Sequence, residues 1–344
     1  MKKFESLGLK HDGKRLLVLD QTKLPHVEEW IDAESPEIMV EIIRELKTRG
    51  APLIGVAAAT SLAKFAESGP DLKTFLNKAQ LLRASRPTAV NLMNAIDRVI
   101  ASVEKKFDAE AVIKIAEEIF DEDVALCEGM AENGARLIND GEGILTHCNT
   151  GGLATVGCGT ALGVIAKAWQ QKKKVHVYVD ETRPLLQGGR LTTWELEKLK
   201  IPYTLICDNM AAVLMREKRI QRVFVGSDRV AMNGDFANKI GTYSVAVNAK
   251  HHGIDFHPVA PRTTIDPQCK NGSQIEIENR KPAEVRGAVG SFGQVTWAPA
   301  NCDVFNPSFD VTPVSLVTSL VLDHRVFTRA ELEAGKLATE GFRR

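Results

Sequence analysis

Apolar residues recur along this chain in two rhythms, and the change between them falls near residue 143. Up to about Ile138 the spacing is mostly helical. Ile38, Met39, Ile42, Ile43 and Leu46 share one face of a helix that Ser35 is placed to cap and Pro36 to begin, with Arg49-Gly50 as its expected end. Pro52 opens a second helix, LIGVAAATSLAKFA, whose small residues imply close packing against its neighbours. Leu72 to Arg83 reads as a third helix, and Arg86-Pro87-Thr88 opens a fourth. A long amphipathic helix is expected from about Asp108 to Ile138. RLLVLD, Arg15 to Asp20, is the strand of this part.

Beyond Gly143 short apolar runs alternate with helical stretches. The runs are ILTHC, VHVYVDE, YTLICDN, VFVGSD and FHPVAP; between them lie helices from Thr192 to Leu199, from Ala211 to Glu217 and through Tyr243 to Lys250. Runs that are apolar on both faces, separated by helices, predict a parallel sheet covered by helices, so the fold class is α/β. The domain boundary is placed at Gly141-Glu142-Gly143. Residues 1–141 then form a mainly helical domain with a short N-terminal strand region, and residues 142–344 an α/β domain. The irregular stretch from Thr263 to Ala300 reads as an arm or lid, and Phe309 to Leu322 as a last helix started by Thr312-Pro313.

Composition narrows the partners. Charged residues make up 26% of the 344 residues and hydrophobic ones 44%, and the formal net charge is zero. No basic stripe recommends nucleic acid. No apolar run approaches the ~20 residues that span a bilayer, and MKKFESLGLKHDG lacks the apolar core of a signal peptide. The six cysteines are scattered without a CxxC pair, which fits a reducing cytoplasm.

The chemistry concentrates in ILTHCNTGGLATVGCGTALG, Ile144 to Gly163, where a buried strand breaks through glycines into a small-residue helix. Gly157, Gly159 and Gly163 loosely resemble a dinucleotide loop, and Asp180 ends the next strand where a ribose-binding acid would sit. The spacing is against that reading, because Gly157 lies some nine residues past the strand; the glycines fit helix packing instead. Cys148, at the strand end, is open to two readings, a buried small hydrophobe or a thiol activated by a helix start. His147 is expected to point to the opposite face, which argues against a Cys–His couple. Asp228 follows VFVG on the same expected sheet edge, as a capping residue or an acid/base. Arg49 and Arg86 each precede a proline-started helix, either as phosphate ligands or as surface arginines. His251, His252 and His257 lack a completing metal ligand and read as a helix end and the next strand.

Taken together, RGAPLIGVAAA, SRPTAVNL, LTHCNTGGLATVGCGTALGVI, VDETRPLLQGGRLTTWEL, VGSDRVAMNGDFANKIGTY, APRTTID and NPSFDVTPVSLVT resemble the methylthioribose-1-phosphate isomerase family, from about Leu16 to Leu322. Its superfamily also holds regulatory subunits of a translation-initiation exchange factor and ribose-1,5-bisphosphate isomerases. The resemblance implies a helical N-terminal domain joined to a Rossmann-like domain, and a homodimer. It implies Cys148 and Asp228 as the catalytic pair, and Arg49, Gly50, Ala51, Arg86, Gln187, Asn238 and Lys239 as contacts to a small sugar-phosphate substrate. Cys158 stands where many relatives carry an aromatic residue.

The implied reaction turns an aldose locked as its 1-phosphate into a ketose. Electrons only move within the substrate, so no redox cofactor and no metal are expected. Asp228 would serve as acid/base, which requires an apolar setting to hold its proton near neutral pH. Cys148 would either take the C2 proton or polarise the carbons during a hydride shift. Other 1-phosphorylated pentoses (5-deoxyribose 1-phosphate, ribose 1,5-bisphosphate), a non-enzymatic regulatory subunit and an NAD-dependent dehydrogenase are the alternatives.

Overall fold

The computed structural model describes residues 1–86, 89–103 and 106–341. Contacts divide the chain into two compact units: residues 1–126 with 152–157, and residues 127–151 with 158–344. The expected cut at 141/142 fell in the loop before the first parallel strand. The observed division instead falls inside a helix, because that helix is continuous and contributes apolar residues to both cores.

In the first unit, β1 (Phe4–Glu5), β2 (Leu9–His11), β3 (Leu16–Leu19) and β4 (Trp30–Asp32) form an antiparallel meander. Of these, β3 was the legible one, since all four of its residues are buried. Helix α1 (Pro36–Arg44) starts where expected, with the Ser35 hydroxyl accepting from the Ile38 amide. It stops earlier than expected, because Leu46 turns into the left-handed region at φ 58°. Gly50, at φ 98°, is instead the N-cap of α2 (Ala51–Ala66). Helices α3 (Leu72–Arg83), α4 (Val90–Ala101) and α5 (Ala109–Ala135) complete the series. Pro87 and Thr88, expected to open α4, lie outside the described residues. The small residues of α2 do allow close packing: a Cβ on Gly55 would stand 2.8 Å from the Asn91 carbonyl oxygen of α4.

The second unit is built on five parallel strands: β5 (Gly143–His147), β6 (His176–Asp180), β7 (Tyr203–Ile206), β8 (Arg222–Val225) and β11 (Asp255–Pro258). Their order, β11-β8-β5-β6-β7, reverses direction between β5 and β8. An open parallel sheet forms its binding crevice outside the strand C-termini at such a reversal. Helices α6 (Ala161–Gln170), α7 (Thr193–Leu199), α8 (Ala211–Arg216) and α9 (Thr242–His252) alternate with the strands. The α/β class expected from the sequence is therefore the one found. The interior of β8, Val223 to Val225, is fully buried, each such side chain contributing about 1.5–3 kcal/mol.

One expectation is corrected here. Phe309 to Leu322 is not a helix: Phe309–Thr312 is a strand, β14, paired antiparallel to β10 (Phe236–Lys239), which also pairs with β9 (Arg229–Val230). The β-branched residues favour that pairing, and Pro313 ends the strand where a helix was expected to begin. The stretch from Thr263 to Ala300 holds α10 (Ala283–Arg286) and the hairpin of β12 (Gly287–Gly290) with β13 (Gly293–Thr296). It is fastened by Arg183, which donates to the carbonyls of Glu284 and Val285 and lies 4.7 Å from the Trp297 ring centroid.

At the opposite sheet edge from the strand C-termini, Arg222 donates twice to the Glu142 carboxylate at 2.9 Å and once to Asp255 at 3.0 Å. Burial would raise the Glu142 carboxyl, but Arg222 and Asn139 outweigh it and hold it below its ordinary value of 4.5. Its contribution is thus present above that value and lost as pH falls through the depressed one. Glu142→Ala leaves Arg222 buried with Asp255 as its one carboxylate partner among the described residues, and should destabilise the fold by about 3 kcal/mol in denaturant titrations at pH 7. The difference from wild type should shrink under acid; an undiminished gap at low pH would show that the ion pair is not its source.

Candidate active site

Cys148 follows directly on β5, and Asp228 lies three residues beyond the end of β8. His147 and Val225 are partners in the ladder joining these strands, so both residues sit on the C-terminal edge at the strand-order reversal. This is the edge expected for them. Each is fixed through its backbone. The Cys148 amide donates to the Thr182 hydroxyl at 2.8 Å, and its carbonyl accepts from the Thr192 hydroxyl at 2.7 Å. The Asp228 amide donates to the Ala237 carbonyl at 2.9 Å, next to Asn238. Cys148 is buried at 6% exposure. Asp228 is only half-buried, less enclosed than the apolar run before it suggested.

The loop after Cys148 differs from the sequence reading. Helix α6 begins only at Ala161, so Gly157 and Gly159 belong to a long turn, and of the three glycines only Gly163 is helical. Gly159, at φ 100°, approaches so closely that a Cβ would stand 2.5 Å from the Thr150 carbonyl oxygen. The turn can therefore fold back on itself only with glycine there. The helix start is satisfied by the turn itself: the Thr150 hydroxyl accepts from the Leu162 amide at 3.1 Å and its carbonyl from the Thr160 amide at 2.7 Å. The Asn149 side chain donates to Glu195 at 2.7 Å.

Within the first unit, residues 152–157 of this turn pack against the start of α2. The Leu53 amide donates to the Ala154 carbonyl at 3.2 Å, and a Cβ on Gly50 would stand 2.4 Å from that same oxygen. Gly50 thus owes its identity partly to this approach, and Arg49 and Ala51 flank it in the chain. Asp123 of α5 accepts from the Val156 amide at 2.7 Å; burial pushes its carboxyl up to about 6 against that bond. Arg86 lies ahead of α4 in the same unit and is half-buried.

Within the second unit, Gln187 is 4% exposed and its Oε1 has no partner among the described residues, a buried acceptor available to a ligand. Asn238 is buried and donates to the Thr242 hydroxyl at 2.9 Å. Lys239 donates to the Ser308 carbonyl at 2.9 Å, its ammonium 4.4 Å from the Phe309 ring centroid. A Cβ on Gly226 would lie 2.9 Å from Thr150 and 3.8 Å from Asn238, so that glycine lets the β8 turn, the Cys148 turn and β10 converge. The backbone here is strained: Cys148, Thr182 and Leu186 all take positive φ, at 65°, 64° and 58°. Each such non-glycine residue costs on the order of 1–3 kcal/mol, and such positions cluster at functional sites.

One group escaped the sequence reading. His147 does not stand apart from the site: its Nδ1 lies 2.9 Å from Asp180 Oδ2, and its Nε2 2.9 Å from the Ile240 carbonyl oxygen. A Cys–His couple is indeed unavailable, but because both ring nitrogens are engaged. Asp180, fully buried, cannot be the ribose-binding acid of a dinucleotide site. One ligand atom each of His147, Asp180 and Asp208 lies within 4.8 Å of the others. The donor set suits hydrogen bonding better than a metal. Asp208 accepts from the Thr182 and Arg183 amides, each at 2.7 Å, and the ring is held between two acceptors. His257, set aside as a metal ligand, is buried between Arg222 and Ser319, and burial takes it down to about 4.

Residues 47–328 match the model of the initiation factor 2 subunit family. A methylthioribose-1-phosphate isomerase of Citrobacter koseri is 51% identical over 340 residues, covering 99% of both chains. One of Yersinia enterocolitica is 52% identical over 324 residues, covering 94% of this chain and 93% of its own. The chain belongs to the methylthioribose-1-phosphate isomerase family. Among solved structures, the 5-methylthioribose 1-phosphate isomerase of Pyrococcus horikoshii superposes with a TM-score of 0.89 at 37% identity, covering 97% of this chain and 96% of its own. A structure described as translation initiation factor eIF-2B subunit delta from A. fulgidus matches with a TM-score of 0.84 at 38% identity, covering 97% and 100%. Membership of this family makes the chain an enzyme of the isomerase class.

Proposed function

We propose that this chain converts 5-methylthioribose 1-phosphate into 5-methylthioribulose 1-phosphate, a step of methionine salvage. The observation that carries the reading is the placement of Cys148 and Asp228 on neighbouring strand ends at the order reversal, with Gln187 and Asn238 in the same unit. Near-full-length likeness to isomerases of that name supports it.

In the proposed course, a protonated Asp228 gives its proton to the ring oxygen as the bond from C1 to that oxygen breaks. The carboxylate then receives the proton of the C2 hydroxyl. Two electrons pass from C2, which becomes a ketone, to C1, which becomes a methylene still bearing its phosphate. The hydrogen on C2 travels either as hydride, with Cys148 polarising the carbons, or as a proton through the Cys148 thiolate and an enol phosphate. Neither course needs an outside oxidant or reductant, so no redox cofactor is assigned, and Asp228 supplies acid catalysis without a metal. On family grounds Lys239 is proposed as a phosphate contact in the second unit, and Arg49, Gly50, Ala51 and Arg86 are proposed as substrate contacts in the first.

A panel of 1-phosphorylated pentoses with ketose detection tests this. The 5-methylthio substrate should be turned over with the highest kcat/KM, ahead of 5-deoxyribose 1-phosphate and ribose 1,5-bisphosphate. Preference for the bisphosphate would move the assignment to that substrate. No turnover of any sugar would favour the regulatory-subunit reading, which the likeness to the A. fulgidus structure keeps specific. Deuterium from solvent at C1 of the ketose separates the proton route from the hydride route. A homodimer located in the cytoplasm is proposed on the same family grounds. Exposed apolar residues on β7, α8 and α9, namely Leu205, Val213, Tyr243 and Val247, suit such an interface, and a monomeric mass in sedimentation would remove it.

A further inference from the structure

The pair formed by His147 and Asp180 is fully inside the protein, at 1% and 0% side-chain exposure. An ion pair so buried adds little or no net stability, because the desolvation of both charges offsets their attraction. What it does supply is geometry. Asp180 ends β6 and His147 ends β5, one residue before Cys148. The other ring nitrogen reaches the Ile240 carbonyl, one residue after Lys239 and two after Asn238. The Ile240 carbonyl can only accept, and Asp180 accepts as a carboxylate; burial pushes its carboxyl up to about 6 against the His147 bond, which leaves it ionised at neutral pH, so the ring donates from both nitrogens and is an imidazolium. Gly241 completes the fit: at φ 105° it places its backbone so close that a Cβ would stand 2.8 Å from the ring. Asp180 also anchors the Cys148 backbone. Its carbonyl accepts from the Thr182 hydroxyl at 3.0 Å, and that same hydroxyl receives the Cys148 amide.

We propose that His147, held as an imidazolium by Asp180, is a positioning residue that fixes Cys148 relative to Asn238 and Lys239. The proposal rests on Cys148 being the reacting thiol. The groups facing the ring are Asp180 from β6, Asp208 after β7, Asp310 from β14 and Cys148, the residue after β5. Burial works against the ring's charge, but the Asp180 bond and the surrounding carboxylates outweigh it and take His147 up to about 9. The charged form therefore exists below that pH and is lost as pH rises through it. A displacement of about 1 Å at a reacting centre costs on the order of 10²-fold in rate.

The test compares wild type with Asp180→Asn and His147→Gln, using 5-methylthioribose 1-phosphate and Cys148→Ala as reference. Asp180→Asn should lower kcat by about 10- to 100-fold with KM changed less than about 3-fold. Its alkaline loss of activity should begin at lower pH than in wild type. In wild-type protein with nitrogen-15 labelled histidine, the signal absent from His147→Gln should show both ring nitrogens protonated at pH 7. A folded Asp180→Asn enzyme with wild-type kcat and an unmoved alkaline limb overturns the proposal while an inactive Cys148→Ala leaves the thiol assignment standing. An active Cys148→Ala instead removes the thiol assignment and this proposal with it. Should neither pair variant fold, the His147 ring is assigned in wild type by through-bond correlation to its own backbone resonances; a neutral ring then overturns the proposal, and a doubly protonated one supports it.

Discussion

Cys148→Ala is expected to fold normally and to lose turnover by on the order of 10³-fold or more. The fold should survive because the residue is held by main-chain atoms: its amide donates to Thr182 and its carbonyl accepts from Thr192, and alanine keeps both. Alanine also bears the left-handed backbone at φ 65° no worse than cysteine does. The sulfur itself is what disappears, and with it either the base for the C2 proton or the group polarising the migrating hydrogen. Ketose formation from saturating substrate, beside a far-ultraviolet dichroism melt, reads both halves. Turnover within a few-fold of wild type would remove Cys148 from the chemistry.

Asp228→Asn should be equally damaging to kcat, by about 10³- to 10⁴-fold, with substrate binding altered far less. The amide has nearly the carboxyl's shape, and the backbone bond to Ala237 does not involve the side chain. An amide cannot give a proton to the ring oxygen and later accept one from the C2 hydroxyl, so both halves of the proposed cycle stop. Equilibrium binding of the substrate to this variant, alongside its kcat, separates the two roles. A variant that binds poorly yet turns over at near wild-type kcat would make Asp228 a binding residue only.

Much of the sheet was legible because its strands are short runs of fully buried residues, such as Val223 to Val225 between Arg222 and Gly226. That alone put Cys148 and Asp228 on one edge. Helix α3 was legible to the residue, since Asp71 caps it and Arg83 closes it. The failures share a physical cause: the deciding partner was remote in sequence. Phe309–Thr312 becomes a strand because β10, some seventy residues earlier, offers its edge. Gly50 serves the next helix and not the last, because Ala154 occupies the space its side chain would need. The partners of His147 were hidden because Asp180 and the Ile240 carbonyl lie on elements remote in sequence. One signal was present, a histidine and an aspartate ending consecutive apolar strands, and adjacent parallel strands bring such ends together. The strained φ of Thr182 and Leu186 leaves no trace in residue type.

Helix α5 has a consequence for how this protein can be taken apart. Its N-terminal portion, with Val112, Ala116 and Phe120, belongs to the core of the first unit, while Cys127, Met130 and Ala135 belong to a core of the second. Residues 152–157 similarly return to the first unit, where Val156 joins the core and Asp123 and Gln21 receive the loop. A gene cut at residue 141 would strip the second piece of a helical wall and the first of its plug. The two units are thus compact without being modules. Neither can be grafted, swapped or expressed as a free-standing part without carrying along sequence that belongs to the core of the other.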